Sequence, residues 1–229
     1  MRKIVTVFGS CRQLSISDTY TVTNIQEELT YPHYTKEILQ AIQFCKGISS
    51  ITEEDSAICF RTCILKNKGI TWYQCKEEFD MTDVFVIEIA SRISYEYKNL
   101  YLHHIQADPT STWKEKDNIT IRDLNDDEIE EDIVSIVKLL HPKPVLIVSH
   151  FSTYANSKRS ILASLLERIC LKLNIPFINP SILLCDYTAS QLFESEKTLN
   201  HYTPFGHSVI SQKYKECIDA LVDSGIKTL

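Results

Sequence analysis

The sequence predicts an α/β protein: a three-layer α/β/α sandwich built on a central parallel sheet. Two observations carry that prediction. Four short runs, Ile4–Phe8, Val84–Ile89, Val145–Ser149 and Pro176–Asn179, are mostly β-branched or aromatic and end in turn or polar residues. Continuous apolar runs of this length suit parallel strands buried on both faces. Helical apolar spacing fills the intervals between them, and strand alternating with helix is the pattern of layered α/β folds with right-handed crossovers.

The elements follow in order. Ile4–Phe8 opens the sheet, and Tyr20–Ile25 (YTVTNI) reads as a fifth strand. Tyr34–Cys45 carries Ile38, Leu39, Ile42 and Cys45 on one helical face. After Val84–Ile89, the stretch Gln106–Thr120 is the longest irregular segment and reads as a surface loop or lid. The run Asp123–Asp132 holds seven carboxylates. Acids in a first helical turn oppose the positive end of the helix dipole, so these mark a helix start rather than a metal site. That helix, Asp126–Leu140, spaces Ile129, Ile133, Ile136, Val137 and Leu140 for burial. Ser157–Leu173 has a basic start and an apolar face of Ile161, Leu165, Ile169 and Leu173. The last helix runs from about Gly206 to Leu221, with Ile210, Tyr214, Cys217 and Leu221 inward.

Composition bounds the function. The 229 residues, 44% hydrophobic and 24% charged, are globular, and residues 1–229 read as one domain. A net charge of −6 without a Lys/Arg block argues against nucleic acid as a partner. The N-terminal apolar run is too short for a signal peptide, and no stretch approaches the ~18 residues of a membrane span. Eight cysteines scattered through apolar segments read as buried free thiols in a reducing, cytoplasmic compartment. Cys59 and Cys63 lack a second pair to complete a zinc site, so no metal is expected.

The residues that carry chemistry lie where parallel sheets bind ligands, beyond the carboxyl ends of strands. Gly9-Ser10-Cys11-Arg12 follows the first strand. Its small residues admit a ligand to the backbone, whose N–H groups suit an oxyanion hole, and Ser10 and Cys11 are both nucleophiles. A second block, Asn200 to His207, precedes the last helix. A neutral imidazole at His207 can take a hydroxyl proton, and His201 is either a participant or a loop residue. Glu88 and Arg92 are charged residues at the end of an apolar strand, where charge must be paired or used. His150 and Tyr154 follow the next strand and line the same rim. Lys158 and Arg159, at a helix start, suit an anion.

The Gly9-Ser10 turn and the His207 block together resemble the SGNH/GDSL hydrolase superfamily, in which a serine loop after the first strand and a histidine before the last helix form the site. The resemblance implies a flavodoxin-like sandwich with Ser10 and His207 catalytic. Two departures matter. The position three before His207 is Pro204 instead of the family's aspartate, and the family's Gly-x-Asn-Asp block gives way to Glu88-Ile89-Ala90-Ser91-Arg92. The Gly-Ser-Cys loop is similar to a side branch that accompanies polysaccharide biosynthesis and includes coenzyme A binders. It implies an acyltransferase, with acetyl-CoA or another acyl-CoA as co-substrate and a carbohydrate or nucleotide-sugar as acceptor. Two alternatives stay open: a serine esterase or carbohydrate deacetylase using Ser10 and His207, and a non-catalytic sugar or nucleotide binding module.

Overall fold

The computed structural model describes residues 2–152, 156–196, 199 and 201–223. Its main sheet is parallel and five-stranded: β1 (Ile4–Phe8), β2 (Thr21–Val22), β3 (Val84–Ile89), β7 (Val145–Ser149) and β8 (Phe177–Ile178), in the order β2-β1-β3-β7-β8. This is the doubly wound order, whose switch point falls between β1 and β3. The register sets Phe8 beside Ile87 and Ile89 beside Ser149, so β3 and β7 end together and β1 ends two residues earlier at the same edge.

Period-two alternation explains why these strands lack a polar face. Phe85, Ile87 and Ile89 join one core with Val145 and Ile147; Val84 and Val86 join the other with Leu146 and Val148. Helices Thr35–Cys45, Trp72–Met81, Asp126–Leu140 and Lys158–Leu173 cover the first face. The helix Pro204–Asp223 and the 3-10 helix Cys11–Asp18 cover the second, through Ile210, Tyr214 and Ile16. The three-layer prediction therefore holds.

Several local expectations need correction. The run Tyr20–Ile25 contributes only Thr21–Val22 as strand, and Ile25 begins the short helix Ile25–Leu29. The buried face of Lys158–Leu173 is Leu162, Leu165, Leu166, Ile169 and Cys170, while Ile161 is exposed. A second, antiparallel sheet of β4 (Ile93–Tyr97), β5 (Leu100–Tyr101) and β6 (Thr120–Asp123), in the order β5-β4-β6, was not foreseen. The irregular stretch 106–120 spans β5 to β6 and includes the 3-10 turn Lys116–Asn118; its Trp113 packs edge-on against Tyr97. The acidic run divides: Asp123 ends β6, and Asn125 caps the following helix in a reciprocal box with Glu128.

All eight cysteines are free; Cys45, Cys59, Cys63, Cys75 and Cys170 are buried, whereas Cys11 and Cys217 are half-buried and Cys185 is exposed. Among the described residues, no helix is long and apolar enough to cross a membrane.

Candidate functional site

The joint carboxyl edge of β1, β3 and β7 builds the site. Gly9 lets the turn after β1 lie against β3: a Cβ there would stand 2.7 Å from Glu88 Cβ and 3.0 Å from its Oε2. Ser10 then caps the 3-10 helix, its Oγ accepting from Arg12 N–H at 3.4 Å. Its backbone N–H donates to Glu88 Oε2 at 2.6 Å, and its carbonyl accepts from Gln26 Nε2 at 3.1 Å.

Glu88 is 1% exposed, yet its neighbours keep it ionised. Burial alone would raise its carboxyl; hydrogen bonds from His150 and Ser10 outweigh burial and hold it at about 2. His150 Nδ1 lies 2.6 Å from Glu88 Oε1, and His150 Nε2 lies 2.8 Å from Arg12 Nη1. A carboxylate only accepts and a guanidinium only donates, so the neutral tautomer is fixed with its proton on Nδ1. Burial lowers the His150 pKa against the pull of Glu88, and Arg12 and Arg159 lower it further.

Arg12 ties the rim together. Its second arm donates to the carbonyl of Leu199, in the loop before the last helix, and its guanidinium lies over the Phe193 ring. That loop is fixed from below. Thr203 N–H donates to Leu192 O at 2.8 Å, Glu194 N–H donates to His201 O at 3.0 Å, and Gly206 sits so close that a Cβ would reach 2.3 Å from Leu192 O.

A cavity of about 620 Å³ opens here, lined by Ser10, Cys11, Arg12, Tyr31, His33, Arg61, His103, His104, Ile105, His150, Arg159 and His201. Among the described residues its wall holds three arginines and no carboxylate. Burial lowers the Arg159 pKa, and Arg12 lowers it further, which places two guanidiniums within each other's field. His33, His103 and His104 are all shifted down, chiefly by burial and then by one another or by Arg61.

The sequence-nominated residues divide. Ser10, Cys11, Arg12, His150, Arg159 and His201 share the cavity, with Gly9 and Glu88 directly beneath. His207 does not line it. Its Nδ1 pairs with Asp18 Oδ2 at 3.0 Å, in an adjoining hollow shared with Cys11, Arg12 and His201. The histidine that lacks an aspartate three residues earlier thus finds one at the end of the 3-10 helix. The oxyanion expectation also changes, because Ser10 N–H is committed to Glu88. Arg92 turns away, donating to Asp126 Oδ1 at 2.8 Å and to the Leu124 carbonyl. Lys158 faces Asp123 at 3.6 Å, beside Arg92. Tyr154 and Asn200 fall outside the described residues.

Sequence reasoning missed Tyr31, His33, Arg61, His103 and His104. The His103-His104 doublet was a visible signal; His33 and Arg61 reach the cavity only through tertiary packing.

The five-stranded sheet with its polar cleft at the carboxyl edge defines a doubly wound α/β protein. More narrowly, the chain belongs to the TviD N-terminal domain family, whose model matches residues 3–110 and again 108–215. No curated protein sequence matches it. Among solved structures, it is similar to a putative acylhydrolase from Bacteroides fragilis (14% identity, TM-score 0.45, covering 96% of this chain and 88% of that one). It is also similar to LAE5, an alpha/beta hydrolase enzyme from the metagenome of Lake Arreo, Spain (14%, TM-score 0.42, 96% of each). A lipase/acylhydrolase from Enterococcus faecalis gives 12% identity and a TM-score of 0.42, covering 93% of this chain and 96% of that one.

Proposed function

We propose that the chain is an acyl-transfer enzyme of polysaccharide biosynthesis, moving an acetyl group from acetyl-CoA, or another acyl group from its CoA thioester, to a hydroxyl or amino group of a carbohydrate or nucleotide-sugar. One observation carries the reading: a single cavity joins Ser10 and His201 to the guanidiniums of Arg12, Arg61 and Arg159. Guanidiniums that, among the described residues, form no ion pair with a carboxylate suit the phosphates of a coenzyme A or nucleotide ligand. The family assignment supports the polysaccharide setting.

In this mechanism His201 takes the proton of the acceptor hydroxyl or amine as it attacks the thioester carbonyl. The tetrahedral oxyanion is met by the Arg12 guanidinium and the Ser10 hydroxyl. The carbon–sulfur bond then breaks, and the imidazolium of His201 returns the proton to the departing thiolate. His150, held by Glu88, fixes the guanidinium of Arg12. This reading gives the base role to His201, which shares the cavity with Ser10, and not to His207, which lines the adjoining hollow.

A serine esterase or deacetylase is the second reading. It is favoured by the acid–imidazole pair Glu88–His150 beside a serine at a strand-to-helix turn. Release of free thiol from acetyl-CoA, assayed with and without amino-sugar and nucleotide-sugar acceptors, tests the first reading. Acceptor-dependent release supports transfer, whereas nitrophenyl acetate hydrolysis without it supports the esterase. Ligand-induced thermal shift with neither activity would leave a binding module.

A further inference from the structure

His33, His103 and His104 come together although about seventy residues separate the first from the others. One ring nitrogen from each lies within 4.8 Å of the other two. His33 Nδ1 and His104 Nδ1 share a hydrogen bond at 2.9 Å. The ring centroids of His103 and His104 stand 4.3 Å apart, and those of His33 and His104 4.4 Å. Ligands on a tetrahedral zinc at 2.0–2.1 Å stand roughly 3.3 Å from one another, so small ring movements would close this cluster on an ion.

We propose that these three histidines form a zinc-class metal site opening into the Ser10 cavity. Two further observations support it. His103 is 1% exposed, and among the described residues its Nε2 has no hydrogen-bond partner. An unpaired buried polar atom is costly and calls for a ligand. The Tyr31 backbone also neighbours the ring, and Nδ1 takes a long contact of 3.3 Å from Ile105 N–H, which the ring can give up as its proton moves to Nδ1.

The His33 position is also held from behind. Glu37 Oε2 accepts the His33 backbone N–H at 2.7 Å, and the His33 carbonyl accepts from both Ala90 and Ser91 N–H at 2.9 Å. This anchors His33 to the end of β3.

The donor chemistry selects the ion. Three imidazoles without thiolate or carboxylate suit zinc, with cobalt or nickel as substitutes, and three protein ligands leave the fourth position open. That position faces a wall holding Arg12, Arg61 and Arg159. A dication among guanidiniums is favoured when an anion, hydroxide or a substrate oxygen, is its fourth ligand. The test is independent of acyl transfer, because binding is read without turnover.

The test uses the full chain, stripped with chelator and then titrated with Zn²⁺ by calorimetry and with Co²⁺ by visible absorption. One equivalent should bind, with a Co²⁺ ligand-field spectrum of low coordination number. His104→Ala, at an exposed position, and His33→Ala should each weaken binding on the order of 100-fold or more, while His207→Ala leaves it unchanged. Absence of Zn²⁺ binding to the wild type, or equal affinity in His104→Ala and wild type, would overturn the proposal. So would inorganic phosphate binding to a chain that takes no Zn²⁺, which would make the cluster an anion site.

Discussion

Glu88 and His150, at the ends of neighbouring strands, share a 2.6 Å hydrogen bond between Oε1 and Nδ1, and through it the strand ends set the position of Arg12. The carboxylate sits one residue before the end of β3, and the imidazole begins the loop after β7. Removing Glu88 leaves the His150 Nδ1–H and the Ser10 N–H as buried donors without their acceptor, at about 1–3 kcal/mol each. Glu88→Ala should therefore lose about that much in urea unfolding and release Arg12 from its orientation. A loss below about 1 kcal/mol would mean the pair contributes little, as surface pairs do.

Gly9 makes the Glu88 contact possible, so Gly9→Ala tests the same geometry from the other side. The added methyl must displace Glu88 or the Ser10 turn. Overpacking of this kind costs about 1–3 kcal/mol, and the shift of Ser10 should depress activity more than a surface Gly→Ala change would. An unchanged melting temperature and unchanged turnover would show that the turn relaxes freely.

Stability should fall with pH below neutrality, and the signs can be assigned group by group. His33 is held at about 3, and His103 and His150 are lowered as well, so the unfolded chain takes up their protons first. Their contribution is full above the unfolded value of 6.5 and is lost as pH falls toward the folded values. Glu88, held at about 2, adds a contribution that is full above 4.5 and lost below it. Glu37, raised by burial, has the opposite sign: its contribution is present below 4.5 and lost as pH rises through its folded value. The three histidines outweigh it between pH 7.5 and 5. Urea unfolding at those two pH values should give lower stability at pH 5; equal values would contradict the buried, neutral assignment.

The central strands were legible because their residues are buried on both faces, so all positions but Thr6, Glu88 and Ser149 read apolar. Val84–Ile89 and Val145–Ser149 emerge with the predicted bounds. The antiparallel β4–β6 pair was not legible: Thr120–Asp123 is exposed along its whole length and carries no apolar alternation. At the site, the Gly9-Ser10-Cys11-Arg12 turn was visible because a small-residue turn with two nucleophiles follows the carboxyl end of the first strand. The orientation of the last loop was not. Sequence spacing alone could not tell which of His201 and His207 reaches the cavity, because that choice is made by the Arg12–Leu199 tie and by Asp18. Likewise Arg92 sits at the same strand end as Glu88, but Asp126 and the Leu124 carbonyl draw it away.

The most direct measurement compares acceptor-dependent acetyl-CoA turnover in His201→Ala, His207→Ala and Ser10→Ala. Loss of a general base costs roughly 10²–10⁴-fold, so His201→Ala should fall by that factor. Ser10→Ala, if its hydroxyl supports the oxyanion, should fall by about 10²–10³-fold, and His207→Ala by less than about tenfold. Acyl transfer at this cavity with His201 as base predicts that order and no acyl group on Ser10. A collapse in His207→Ala that matches Ser10→Ala, with an acyl group trapped on Ser10 of the wild type and little effect of His201→Ala, would contradict it.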